Sequence, residues 1–261
     1  MLSGSAAGNP GPTPVPPMPD EVNVPPAARA DALCVGGFVP FTLTDYPDAL
    51  AAVVFCQGCP WHCGYCHNPH LIAARGDDER DFARILDWLG TRRGLLDAVV
   101  FSGGEPTAQA QLADAIAAVH ALGFKVGLHT GGANPRRLAA VLPQVDWIGI
   151  DVKAPQAEYA RVTGVPDSGV SALASLDLVL ASGIAHEVRT TVHPALTPPA
   201  ALEQLARELA DRGVVRWVLQ PFRATGCMNE ALVASAPQGA TFEPALLALL
   251  RTHVPLVEVR G

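Results

Sequence analysis

The 261-residue chain is poor in charge, and poorest in positive charge. Asp, Glu, Lys and Arg make up 16% of it, and 18 Lys and Arg stand against 25 Asp and Glu, for a formal net charge of -7. No basic surface is available to attract phosphate backbones, which argues against nucleic acid as a partner. Long apolar runs are missing too: despite a mean hydropathy of +0.23, no stretch is long and uninterrupted enough to cross a bilayer. The first thirty residues are rich in Pro, Gly and Ala and have no basic start followed by an apolar run, so they read as neither signal peptide nor membrane span. The expectation is a cytoplasmic protein with a disordered tail over 1–33 and one globular domain over 34–261. A chain that is 49% hydrophobic can bury a sizeable core in such a domain.

Thiols are scarce as well. There are six cysteines, and four of them fall within FCQGCPWHCGYCHNPHL, between Cys56 and Cys66. In a reducing compartment such crowding points to metal or redox chemistry and not to a disulfide framework.

After a leading segment, GFVPFTLTDYP, apolar runs alternate with helical patterns. Strands are expected at Leu50–Phe55, Asp97–Phe101, Lys125–Thr130, Trp147–Lys153, His186–Val192 and Val214–Phe222. Helices are expected near Asp78–Thr91, Ala108–Leu122 and Pro135–Leu142, up to Ser182, and over Pro199–Arg212. FEPALLALLRTHV reads as a final helix and PLVEV as an edge strand. Six such units imply an α/β fold with a parallel sheet and right-handed crossovers, an incomplete (β/α)6 barrel. Chemistry in such folds sits at the strand C-termini. The cysteines, SGGEP, HTGG and DVK follow the first four strands in turn.

Cys56, Cys59, Cys63 and Cys66 form C-x2-C-x3-C-x2-C. A structural zinc takes four thiolates, usually from two knuckles set far apart, and that separation is absent. An iron-sulfur cluster fits the compact spacing better. Cys56, at a strand end, reads as a packing residue, as do Cys34 and Cys227. His62, His67 and His70 read as non-ligating neighbours.

CPWHCGYC resembles the C-x3-C-x-aromatic-C signature of the radical S-adenosylmethionine superfamily, with Tyr65 as the aromatic residue. The resemblance implies that Cys59, Cys63 and Cys66 hold a [4Fe-4S] cluster whose fourth iron binds the amino and carboxylate groups of S-adenosylmethionine. SGGEP resembles the family's GGEP loop, which implies contact of Gly103 and Gly104 with the methionine part of the cofactor and a bracing role for Glu105. In DVK, the resemblance implies Asp151 on the ribose hydroxyls and Lys153 on the methionine carboxylate. HTGG departs from the DTNG of relatives, so His129 replaces an aspartate and can accept the amino group's hydrogen bond only as a neutral imidazole. Arg189, in HEVRTTV, is either a carboxylate partner or a strand arginine paired with a structural acid.

From Gly36 to Phe222, GFVPFTLTDYP, SGGEPT, GIDVKAP, YARVTG, EVRTTV and LQPF resemble the activating proteins of anaerobic ribonucleoside-triphosphate reductases. That implies a flavodoxin or ferredoxin electron donor, reductive cleavage of the sulfonium, and a glycyl radical on the reductase. About thirty-five residues separate Cys66 from the GGEP loop, too few for an inserted ferredoxin domain. The alternatives are a radical enzyme acting on another glycyl-radical protein or on a small molecule, as deazaguanine-forming ones do, a plain iron-sulfur electron carrier, or a zinc module.

Overall fold

A computed structural model describes residues 30, 32–237 and 242–261. Its strands lie in sequence order across one eight-stranded sheet: β1 (Val35–Thr42), β2 (Ala51–Cys56), β3 (Ala98–Gly103), β4 (Lys125–Thr130), β5 (Trp147–Asp151), β6 (Ala185–Val192), β7 (Arg216–Pro221) and β8 (Leu256–Val259). Neighbours from β2 to β8 are parallel, while β1 runs antiparallel to β2. β1 and β8 are the two ends of the sheet order, which makes the sheet an open, partial barrel.

The period-2 alternation of strand side chains sorts the apolar runs onto two faces. Ala51, Val53, Ala98 and Val100 pack with Tyr46 and Trp147 in one buried cluster. Ala52, Val54, Val99 and Phe101 instead join the larger cluster that includes the helices. These helices are α1 (Phe82–Gly90), α2 (Leu112–Ala121), α3 (Pro135–Val141), α4 (Tyr159–Thr163), α5 (Ser168–Ser182), α6 (Pro199–Asp211), α7 (Glu230–Ala234) and α8 (Pro244–Arg251). α1 starts later than the expected Asp78 because Asp81 caps it, accepting from the Ala83 N–H at 3.0 Å. The helix expected from Ala108 begins at Leu112, after a separate 3-10 turn over Pro106–Ala108.

Two features were not legible as elements. The leading segment is a full strand, β1, disguised by Gly36, Pro40 and two register shifts against β2. Such irregularity suits an edge strand, which gains by being a poor template for further pairing. PLVEV, expected as an edge strand, is β8 at the end of the sheet, where it pairs parallel with β7 and makes a seventh parallel strand beside the six βα units. The short helix α7 has no counterpart in the sequence reading. The expected tail lies mostly outside the described residues, but Ala30 and Leu33, inside the span assigned to it, are buried in the main core.

Candidate active site

The C-terminal ends of β2 to β7 converge on one cavity of about 490 Å³. Cys59, Cys63 and Cys66 border it, together with Tyr65, Gly103, Gly104, Glu105, His129, Asp151, Lys153 and Arg189. Every residue singled out as a site candidate from sequence therefore faces one space. Cys56 does not: it ends β2, is 0% exposed, and sits in the core cluster. His62 and His70 are exposed and do not border the cavity, whereas His67 does.

The cysteine loop is tied on two sides. Gly58 and Cys59 donate their N–H groups to Leu71 and Ile72 at 2.9 and 3.0 Å, and His62 and Gly64 donate theirs to Thr163 and Val162 of α4 at 2.8 and 3.0 Å. Trp61, 4% exposed, anchors the turn by packing edge-on to Tyr159 at 5.8 Å.

The SGGEP loop crosses beneath. Gly104 donates to the Cys56 carbonyl and Glu105 to the Gly58 carbonyl, both at 2.9 Å. Gly103 has φ +114°, and a Cβ there would lie 2.5 Å from the Cys56 backbone nitrogen; at Gly104 one would lie 2.4 Å from the Gly58 carbonyl oxygen. Only glycine permits this crossing. Glu105 is 2% exposed and forms no ion pair among the described residues. Its Oε1 accepts from the Thr107 N–H (3.1 Å) and from the hydroxyls of Thr107 and Thr130 (2.6 Å each), and its Oε2 accepts from the Gly131 N–H at 2.9 Å. It braces two loops.

Asp151 is shared by two cations. Its Oδ1 accepts from Arg189 Nε at 3.1 Å, and Oδ2 lies 3.5 Å from Lys153 Nζ. Burial works against the Asp151 carboxylate, but Lys153 and Arg189 outweigh it and hold the group below its usual range. Lys153 is held well above its usual value: burial opposes its charge, and Tyr65, Asp151 and Cys63 around it favour it. Arg189 occupies the space a side chain at Gly149 would need, since a Cβ there would lie 2.5 Å from the guanidinium. One acid facing two bases leaves a surplus positive charge on this wall.

His129 makes a hydrogen bond of 2.8 Å to the Asp45 backbone carbonyl through Nε2. A carbonyl only accepts, so Nε2 carries the proton. Burial, aided by the Arg189 charge, pushes the ring's pKa down to about 3. The imidazole is therefore neutral at neutral pH, with Nδ1 as a lone-pair acceptor. Sequence reasoning missed Asp45, because nothing local announces that a residue before β2 will fix a histidine on β4.

Burial pushes the Cys59 thiol up to about 12 and raises Cys63 and Cys66 as well. Three crowded thiols of this kind stay protonated unless a cationic centre offsets their charge, which is what iron provides. The Tyr65 hydroxyl is buried with no hydrogen-bond partner among the described residues, on a side chain 6% exposed that borders the cavity. Such an orphaned group fits a cavity completed by a polar ligand. Among the described residues no three His, Cys, Asp or Glu are gathered to hold a single ion. A [4Fe-4S] cluster puts each thiolate on a different iron and needs no such convergence.

Residues 53–209 match the Radical SAM superfamily, and the chain belongs to it. Members of that superfamily use a [4Fe-4S] cluster and S-adenosylmethionine. A protein of Methanocaldococcus jannaschii named as a glycyl-radical enzyme activating enzyme is 30% identical over 205 residues, covering 75% of this chain and 82% of the relative. The pyruvate formate-lyase-activating enzyme of Clostridium pasteurianum is 28% identical over 192 residues, or 70% of this chain and 79% of that one. Among solved structures, Streptococcus suis SuiB bound to precursor peptide SuiA superposes with a TM-score of 0.58 at 15% identity, covering 80% of this chain and 48% of SuiB. That likeness is one of fold. Among the described residues no helix is long and apolar enough to cross a membrane.

Proposed function

We propose that this chain is an activating enzyme that installs a glycyl radical on a partner protein, and that the partner is an anaerobic ribonucleoside-triphosphate reductase. One observation carries the reading: Cys59, Cys63 and Cys66 face the cavity shared with the SGGEP loop and the Asp151–Lys153–Arg189 wall, while Cys56 is sealed in the core. Three ligands leave a [4Fe-4S] cluster one open iron, and a vacant position is what separates a catalytic metal centre from a structural one.

When both groups are bound, the cluster and S-adenosylmethionine supply a one-electron reductive cleavage and a carbon radical that takes a hydrogen atom from a glycine Cα. The chain's residues bind and orient. Lys153, loosely paired at 3.5 Å, offers its ammonium to a carboxylate by a charge-assisted contact. Asp151 stays ionised and keeps lone pairs for hydroxyl donors. His129 Nδ1 accepts from an ammonium, as an aspartate would, without adding negative charge. Gly103 and Gly104 bring bare backbone close, and Tyr65 offers a ring face and its unpartnered hydroxyl. No general acid or base is required, because a hydrogen atom and not a proton is transferred.

The relatives' names support a protein substrate. The reductase, with a flavodoxin or ferredoxin donor, rests on the resemblance of GFVPFTLTDYP, YARVTG and LQPF. The test is anaerobic reconstitution with reductant, S-adenosylmethionine and the reductase from the same organism, read by EPR. A glycyl-radical doublet is expected. An intact reduced-cluster signal with no doublet would overturn the reductase as substrate.

A further inference from the structure

We propose that the segment Phe222–Leu232, which follows β7, is a clamp that fixes the third cysteine of the motif, with His67, Phe222 and Gly226 as positioning residues for the cluster held by Cys59, Cys63 and Cys66. The proposal rests on the reading that these thiols hold a [4Fe-4S] cluster.

Four contacts converge on the flanks of Cys66. His67 Nε2 donates to the Arg223 carbonyl at 2.9 Å. The His67 ring stacks on Phe222, with centroids 5.6 Å apart and planes at 23°. The Cys227 thiol points at the Gly64 carbonyl, 3.8 Å away. Gly226 has φ +83°, and a Cβ there would stand 2.4 Å from the His67 carbonyl oxygen. The backbone is thus gripped two residues before Cys66 and one after it.

The clamp is anchored at both ends to a single ring. His193, 1% exposed, packs edge-on to Phe222 at 5.0 Å. Its Nε2 donates to the Leu232 carbonyl at 3.0 Å, and its Nδ1 accepts from the Ala195 N–H at 3.1 Å. Between these anchors, residues 223–226 are exposed. They lie outside the core, yet their bonds reach the motif. On its other side Gly64 is tied to α4, so the stretch that presents Cys66 is held between two elements. Without the clamp, that tie and the ties of Gly58, Cys59 and Gln57 to residues 70–73 would remain, and the backbone immediately after Cys66, at His67, would lose its hold.

Partners that orient metal ligands are typically worth about tenfold to a hundredfold in metal affinity. The experiment reconstitutes the full chain anaerobically as parent, His67→Ala, His67→Gln, Phe222→Leu, Gly226→Ala and, as control, His62→Ala at the exposed motif histidine. Iron and sulfide content, the rate of cluster loss to a ferrous chelator, the midpoint potential and the unfolding midpoint of the cluster-free chain are measured. His67→Ala and Gly226→Ala should lose the cluster about tenfold faster and shift the potential, with the cluster-free unfolding midpoint close to the parent's. His67→Gln, which keeps a donor, should recover part of the loss, and His62→Ala should match the parent. Loss rates within twofold of the parent with an unshifted potential would overturn the clamp, as would losses that merely track the unfolding midpoint. A parent chain that takes up no cluster would overturn the underlying reading as well.

Discussion

Replacing Glu105 by Gln changes one atom, and the structure says why that matters. The two rigid donors at this site, the backbone N–H groups of Thr107 and Gly131, address different carboxylate oxygens. A carboxylate serves both, but a glutamine amide has one oxygen. In either orientation its NH2 faces a backbone N–H that cannot turn away, whereas the Thr107 and Thr130 hydroxyls can reorient. A buried donor left unsatisfied costs about 1–3 kcal/mol, and the charge-assisted bonds lost with it bring the total to about 2–4 kcal/mol. The Thr130 hydroxyl, which donates to Glu105 while accepting from the Gly132 N–H at 2.9 Å, gives an internal check. Thr130→Ser keeps that relay and should be nearly neutral; Thr130→Val breaks it. In equilibrium urea unfolding of the cluster-free chain, with an m-value of about 3 kcal/mol/M, Glu105→Gln should lower the midpoint by about 1 M. A change within about 0.2 M would refute the bracing role.

The remaining predictions follow from single distances or single rings. Gly103→Ala and Gly104→Ala drive a Cβ into backbone at 2.5 and 2.4 Å and should each cost more than about 2 kcal/mol, whereas Gly123→Ala, at φ +91° with open space around it, should cost only about 1 kcal/mol; urea midpoints decide. His129 has its pKa lowered to about 3 by burial against about 6.5 in an unfolded chain, so its contribution is complete above about pH 6.5 and falls away as the pH drops and the unfolded state alone takes up the proton. Between pH 6.5 and 5 the parent should therefore lose up to about 2 kcal/mol more than His129→Gln, less whatever cavity water screens; parallel pH curves for the two would contradict this. Because burial raises the Cys59, Cys63 and Cys66 thiols and each must ionise to bind iron, cluster uptake at fixed iron and sulfide should climb from pH 7 to pH 8.5, and a flat profile would show thiols already ionised.

The sheet was legible wherever a strand is buried on both faces. AAVVFC, AVVF and WIGI are nearly unbroken apolar runs, and KVGLHT differs from its strand by nothing at either end. β1 was hidden because Gly36 and Pro40 interrupt its pattern, and both are there because it is an irregular edge. The candidate site was readable to the extent that its chemistry is carried by contiguous motifs: the cysteines, SGGEP, HTGG and DVK each sit within a few residues. Contacts made across long sequence separations were not. Asp45 lies 84 residues from His129, Arg223 lies 156 from His67, and Cys227 lies 163 from Gly64. No local spacing records such pairings, since the barrel brings strand ends together only once it has formed. Arg189 was half legible: its place on a strand was clear, but its partner Asp151 follows from the parallel register that sets the two side by side.

The central claim is that three of the four clustered thiols hold a cluster with one open iron. It is tested most directly by reconstituting the parent and the single alanine variants of Cys56, Cys59, Cys63 and Cys66, adding reductant and S-adenosylmethionine, and quantifying 5'-deoxyadenosine. Loss of product in the Cys59, Cys63 and Cys66 variants, with most of it retained in Cys56→Ala, is the predicted result. Product that persists without Cys59, Cys63 or Cys66, or that requires Cys56 as strictly as the others, would contradict it.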